Sequence, residues 1–311
     1  MQLLSGCTTA PSNITPLMWR VTHAESEGVV YLFGSVHIGR EDMYPLPTAI
    51  MEAFFSSDYL AVESNLRRHP TQFDVDERIR IGTFEDGETI VDVVGFALHE
   101  KAKEILIQGG YEAWLEYGAI APGKTLDNFR PLFWMELLAN VSGPDFRYHG
   151  LSGELGIDWY FKGIAINGIR PLGRHRKQIL EIENGLVALK VQFDFPNSLQ
   201  KILFENSLDA ELNVEHSIKV IDAWSRGDFY ALRELRYIWY KKVRGVPDEL
   251  MVYVERACAQ RGAVMVEAAK RYMANGQNVF FITGANHMVR EGGIVETLME
   301  RGFTVEQVVW W

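Results

Sequence analysis

Cysteine is scarce: Cys7 and Cys258 are the two in 311 residues. A disulfide framework is excluded as the source of the fold, and so is a zinc site built on cysteine pairs. No apolar run approaches the ~20 residues needed to span a bilayer. Basic charge is also short, with 31 Lys and Arg against 41 Asp and Glu, a net charge of −10. That balance argues against a nucleic-acid partner, which needs a basic footprint, and against an anionic membrane surface. Walker loops, the Rossmann fingerprint, HExxH and GxSxG are all missing, as are long linkers and low-complexity tracts. What remains is 47% hydrophobic and 23% charged residues, an ordinary composition for a globular chain with a sizeable core.

One phrase occurs near both ends. Val30-Tyr31-Leu32-Phe33-Gly34-Ser35-Val36-His37 and Val279-Phe280-Phe281-Ile282-Thr283-Gly284-Ala285-Asn286-His287 are each an apolar run, a glycine, two residues and a histidine. Runs this short and this rich in Val, Phe, Tyr and Ile read as buried strands. The glycine permits a sharp turn at the strand's end. Each histidine is then expected beyond the carboxyl end of a strand, the edge where open α/β sheets bind ligands.

The spacing predicts a hairpin from Leu17–Val21 and Val29–Phe33, a helix from about Pro47, and a strand Tyr59–Val62 ending at Glu63. The C-terminus repeats the plan: a strand Val279–Ile282, a helix with Ile294, Val295, Leu298 and Met299 on its apolar face, Gly302 just past its end, and a strand Phe303–Trp310. Between them the pattern is helical, over Ile90–Ile107, Leu199–Leu208, Ala231–Tyr240 and Leu250–Met273, with a short strand at Ile169–Leu172. The expected fold is α/β: a central mixed sheet built from N- and C-terminal strand–helix–strand units. A large helical insertion occupies about 65–275 of a single domain over 15–311, after a tail at 1–14.

His37 and His287 are the first candidates for chemistry, because a neutral imidazole ligates metals or acts as a base. Glu63 ends an apolar strand, where a carboxylate is costly unless paired or bound to a cation. Its plainer reading is a capping or ion-paired carboxylate. Two histidines and a carboxylate with open positions suit a first-row divalent metal. Arg261 and Arg290 are candidates for an anionic substrate group, and Asp158 reads as a helix cap. Cys258 reads as a small buried residue.

These residues resemble the TraB/GumN family, which includes the animal Tiki metalloproteases. The first block is Trp19-Arg20-Val21, then Tyr31 to Gly39, a helix from Leu46-Pro47, and Leu60-Ala61-Val62-Glu63. The last block is Arg261, then Phe280 to His287, Gly292-Gly293-Ile294 and Gly302-Phe303. In the middle, Arg130-Pro131-Leu132-Phe133-Trp134, Gly156-Ile157-Asp158 and Gln178 match more loosely. Two positions depart: Gly173 stands where a glutamate is usual, and Gly262 where an asparagine is usual.

The resemblance implies a fold related to erythromycin esterases and to haem-binding bacterial lipoproteins. It implies a site of His37, His287 and Glu63 as metal ligands, with Arg261 steadying an oxyanion or a substrate carboxylate. The implied cofactor is a divalent metal, manganese or cobalt, and the implied activity a metal-dependent hydrolase, a peptidase acting on peptide or small-molecule substrates. The alternatives are a metal-independent esterase-like hydrolase and a haem- or metal-binding lipoprotein without turnover. Leu4-Ser5-Gly6-Cys7 is similar to a lipobox, with Cys7 the lipidated residue and Thr8 to Asn13 a tether. Six residues precede Cys7 and none is basic, so that reading needs a start further upstream. The expected location is then the cell envelope, with the membrane met only through the lipid. Otherwise the match is chance and the location cytoplasmic.

Overall fold

The structure is a computed structural model that describes residues 13–63, 72–85, 87–116, 118, 120–141, 143–169 and 175–309. Cys7 and Gly173 lie outside the described residues.

Six strands form one mixed sheet: β1 (Met18–His23), β2 (Ser26–Ser35), β3 (Tyr59–Val62), β4 (Gln178–Glu181), β5 (Asn278–Gly284) and β6 (Thr304–Gln307). Their order is β4-β3-β5-β2-β1-β6. β4, β3, β5 and β2 run parallel, and β1 is antiparallel to both β2 and β6. The fold is therefore the mixed α/β sheet that the duplicated phrase predicts. β2 and β5 are neighbours in register, Ser35 opposite Gly284. β3 lies on the other side of β5, Val62 opposite Ile282. The apolar runs sit centrally because parallel strands are covered on both faces.

Adjacent residues of β5 serve opposite faces. Phe280 packs with Phe33, Phe54 and Phe161, at centroid distances of 5.7, 5.5 and 4.8 Å. This seats the helices Thr48–Ser56 and Ile157–Asn167 on one face. Phe281 meets Tyr272 of the long helix Asp248–Ala274 on the other. The helical middle divides its burial. Val214, Ile221, Ala223 and Trp224 of the helix Ala210–Ser225 join the core around the sheet. Ile90, Leu106, Phe129, Trp134 and Phe204 build a second core away from it.

Several local expectations change. The helix expected over Ile90–Ile107 is two, Ile90–Val94 and Phe96–Gln108, broken at Gly95. A strand at Gln178–Glu181 is not among those expected; its ends are exposed and only its middle is half-buried, so no apolar run marks it. Most of the strand expected at Ile169–Leu172 lies outside the described residues. Met299 is exposed although the helical spacing put it on the apolar face. The last strand stops at Gln307.

Candidate active site

The four parallel strands end at one edge, and each delivers a polar residue there. Across the sheet these are Glu183 just past β4, Glu63 past β3, Thr283 and Gly284 closing β5 with His287 in the short helix Ala285–Val289, and His37 past β2. In open α/β sheets this is the edge that binds ligands.

The His37 loop is fixed by backbone. Ile157 N–H donates to the Val36 carbonyl at 3.0 Å, and Gly39 and Ser152 exchange bonds of 2.9 and 3.0 Å. Gly156 is required here, since a Cβ on it would lie 2.2 Å from the His37 carbonyl oxygen. Neither backbone has room to yield, so Gly156→Ala is expected to cost about 1–3 kcal/mol. A thermal melt unchanged within about 2 °C would contradict this.

That backbone contact brings the start of the helix Ile157–Asn167 to His37. Asp158 is buried there and bonded twice: Ser35 Oγ donates to Oδ1 at 3.2 Å, and His37 Nδ1 meets Oδ2 at 2.8 Å. Asp158 is thus an orienter of His37 rather than a helix cap. The His37 side chain is 69% exposed, so its ring faces open space with Nδ1 occupied. The hydrogen bond and charge of Asp158 raise its pKa to about 9.

Glu63 is held from two sides. Arg261 Nη2, from the helix Asp248–Ala274, donates to Oε2 at 2.7 Å. Gly284 N–H donates to Oε1 at 2.5 Å, and Thr283 Oγ1 donates to the same oxygen. Burial pushes this carboxyl up, but His287, Arg261, His37 and the Gly284 N–H outweigh it and hold it at about 2. Arg261 also grips Glu183, its Nε 2.9 and 3.2 Å from the two oxygens. The arginine expected to meet a substrate anion therefore neutralises two carboxylates of the protein. Burial pushes Glu183 up although Arg261 opposes it. Arg290, the other anion candidate, lies by Glu255 at 3.5 Å and donates to the Gly292 carbonyl at 3.2 Å.

His287 is buried, and its Nδ1 has no partner among the described residues. A Cβ on Gly284 would be 3.4 Å from Glu63 Oε1 and 3.9 Å from His287 Cδ2, so Glu63 and His287 flank the same glycine. Burial holds the His287 pKa down at about 4. At neutral pH the site thus pairs a cationic, exposed imidazole with a neutral, buried one.

These shifts set a pH profile. Glu63 and His287 have folded pKa values below their ordinary 4.5 and 6.5, so their contributions are present above those values and lost as pH falls, His287 first toward 4 and Glu63 toward 2. His37 is raised from 6.5, so its contribution is full below that value and lost as pH rises toward 9, weakly because the ring is exposed. Urea midpoints are expected to peak near pH 6.5 and fall more steeply on the acid side. A midpoint still rising from pH 6.5 to 4 would refute this assignment.

Among the described residues, no three His, Cys, Asp or Glu side chains gather as a metal centre. Each imidazole taken singly keeps a nitrogen that could ligate: Asp158 takes His37 Nδ1 and not Nε2, and His287 Nδ1 has no partner among the described residues. Glu63 as placed does not fit, since a guanidinium, a hydroxyl and an amide occupy its oxygens.

Sequence reasoning missed Asp158 in its actual role and missed Glu183 altogether. Glu183 follows a weakly marked strand, and a carboxylate there signals nothing by itself. It nevertheless supplies, beside Arg261, a carboxylate of the kind whose absence at Gly173 the sequence flagged.

Fold and site together define an α/β protein with a polar cluster at the carboxyl edge of a parallel sheet core. The chain belongs to the TraB/PrgY/gumN family, whose model matches residues 17–307. No curated protein and no solved structure gives a significant match. No helix of the described residues is long and apolar enough to cross a membrane.

Proposed function

We propose that the chain is a hydrolase of peptides or small-molecule esters and amides, working at the edge where β2, β3 and β5 end. The observation that carries this reading is the contrast between the two imidazoles: His37 is exposed with Nδ1 held by Asp158 at 2.8 Å, whereas His287 is buried with Nδ1 unpartnered among the described residues, which favours a cationic ring in the first and a neutral one in the second. Paired titratable groups with pKa values pushed apart mark acid and base roles. His37, oriented through Nδ1, presents Nε2 to a substrate carbonyl or leaving group and donates its proton there. His287 is the neutral partner that accepts a proton from water. Glu63, fixed by Arg261 and Gly284, keeps a negative charge beside both rings and favours the imidazolium formed in the reaction.

A divalent metal, manganese or cobalt by family resemblance, would be held by His37 and His287 and, when bound, would polarise the carbonyl and acidify its water. Glu63 would join only by leaving Arg261. That engagement favours the metal-independent form as a second reading. The test is cleavage of a peptide and ester panel by the wild-type protein with manganese, cobalt, zinc or excess chelator. Turnover restored by one metal and abolished by chelator supports the metal form, and full turnover in chelator the metal-independent form. No turnover under any condition overturns the hydrolase reading and favours a binding role. The lipid anchor on Cys7 and an envelope location are part of the same proposal. Fractionation of the full reading frame, with mass analysis of Cys7, tests them.

A further inference from the structure

A cavity of about 560 Å³ opens next to the His37 loop. Ile38 and Gly153 line it on that side, and Ile38 follows His37 directly. Its size is that of small-molecule sites. Arg147 and Arg244 line it, and no Asp or Glu does among the described residues. In a chain of net charge −10 this local balance is unexpected.

Arg244 is the unusual member. The helix Phe229–Ile238 widens into a π-turn over Trp239–Val243, and the Arg244 N–H closes on the Trp239 carbonyl at 2.9 Å. Such π-turns are frequent at functional sites. This fold-back lays the guanidinium over the Trp239 ring, 4.6 Å from its centroid, with Tyr240 at 5.9 Å. Trp239 also stacks on His216, at 3.9 Å and 18°. Yet the Arg244 side chain has no carboxylate and no hydrogen-bond acceptor among the described residues, and its Nε is fully buried without a partner. A half-buried guanidinium with its Nε shut off from water and from any acceptor is costly to hold, and the cost is relieved by an anion that brings its own charge. Burial keeps His216 neutral, its pKa held at about 4, so it does not compete as a cation. Arg244 also lines a smaller cavity of about 190 Å³ that reaches Arg261, whose own charge is already spent on Glu63 and Glu183.

We propose that this cavity is the docking site for a free carboxylate, with Arg244 as its cation, Trp239 as the platform that fixes the guanidinium, and apolar walls for the flank of the ligand. As a substrate subsite it rests on the hydrolase reading and makes the substrate class carboxylate-bearing peptides or acyl amino acids. The anion-binding role expected of Arg261 then belongs to Arg244.

The test reads binding, with the probes recovered afterwards and checked by chromatography for hydrolysis. N-benzoylglycine and its neutral amide, N-benzoylglycinamide, are titrated into the full chain by calorimetry. The acid is expected to bind at least about tenfold tighter, the usual worth of a charge-assisted bond. Arg244→Gln is expected to remove that preference and Arg244→Lys to keep part of it, with circular dichroism confirming the fold of each. Equal binding of acid and amide, no binding of either at millimolar concentration, or an unchanged preference in Arg244→Gln would overturn the proposal. Equal displacement by inorganic phosphate would overturn the carboxylate assignment in favour of a general anion site. If Arg244→Gln fails to fold, the acid–amide comparison on the wild type decides. Acid-selective binding without hydrolysis of any substrate would remove the hydrolase reading and leave this site standing. Hydrolysis without acid selectivity would do the reverse.

Discussion

Arg261→Leu is expected to destabilise the protein by about 3–5 kcal/mol, the usual cost of breaking a buried ion pair from one side. Its guanidinium joins Glu63 and Glu183, and its removal leaves a half-buried and a buried carboxylate without their cation. Glu63 keeps the Gly284 N–H and the Thr283 hydroxyl, whereas Glu183 loses every side-chain bond it has among the described residues. Both carboxyls then rise in pKa, and the deficit against wild type should shrink as pH falls and they protonate. Urea denaturation at pH 7 and pH 5 measures this. The triple variant with Glu63→Gln and Glu183→Gln should recover part of the loss, because no charge is left unpaired. An arginine that only met substrate would cost activity and leave stability alone. A loss below about 1 kcal/mol at pH 7 would return Arg261 to that role.

The second large effect falls on catalysis. His37→Ala is expected to lower turnover by about 10²–10⁴-fold, the contribution of a general acid or base. The fold should survive, since the side chain is 69% exposed and its loop is held by backbone bonds from Ile157 and Ser152. Asp158→Asn should cost about 10–100-fold by loosening the ring. It should also bring the His37 pKa down from about 9 toward its ordinary 6.5, read by NMR titration of the ring protons. That titration separates an orienting role from a structural one. His37→Ala combined with Asp158→Asn or with His287→Ala should be little worse than His37→Ala alone, because the groups act as a unit. Additive losses would show independent roles.

The duplicated phrase made the central sheet legible. β2 and β5 are uninterrupted apolar runs because both faces of the sheet are covered, by the phenylalanine cluster on one side and the long helix on the other. The same logic gave β3 its bounds and put His37, Glu63 and His287 at one edge, since parallel neighbours end together. β4 was not foreseen because a short, half-exposed outer strand carries no such run.

The sequence by itself determined the α/β class, the three central strands, the family, and that His37, Glu63 and His287 follow strand ends at the carboxyl edge. All of these follow from local apolar patterning and from the direction that a parallel strand imposes on its end. Tertiary structure alone decided the partners: Asp158 on His37 across 121 residues, Arg261 on Glu63 across 198 and on Glu183 across 78. It also left Arg244 lodged over Trp239 with no carboxylate among the described residues. Such contacts depend on which helix packs on which face of the sheet, and a charged side chain on a helix looks the same in sequence whether it meets water, a carboxylate or a cavity.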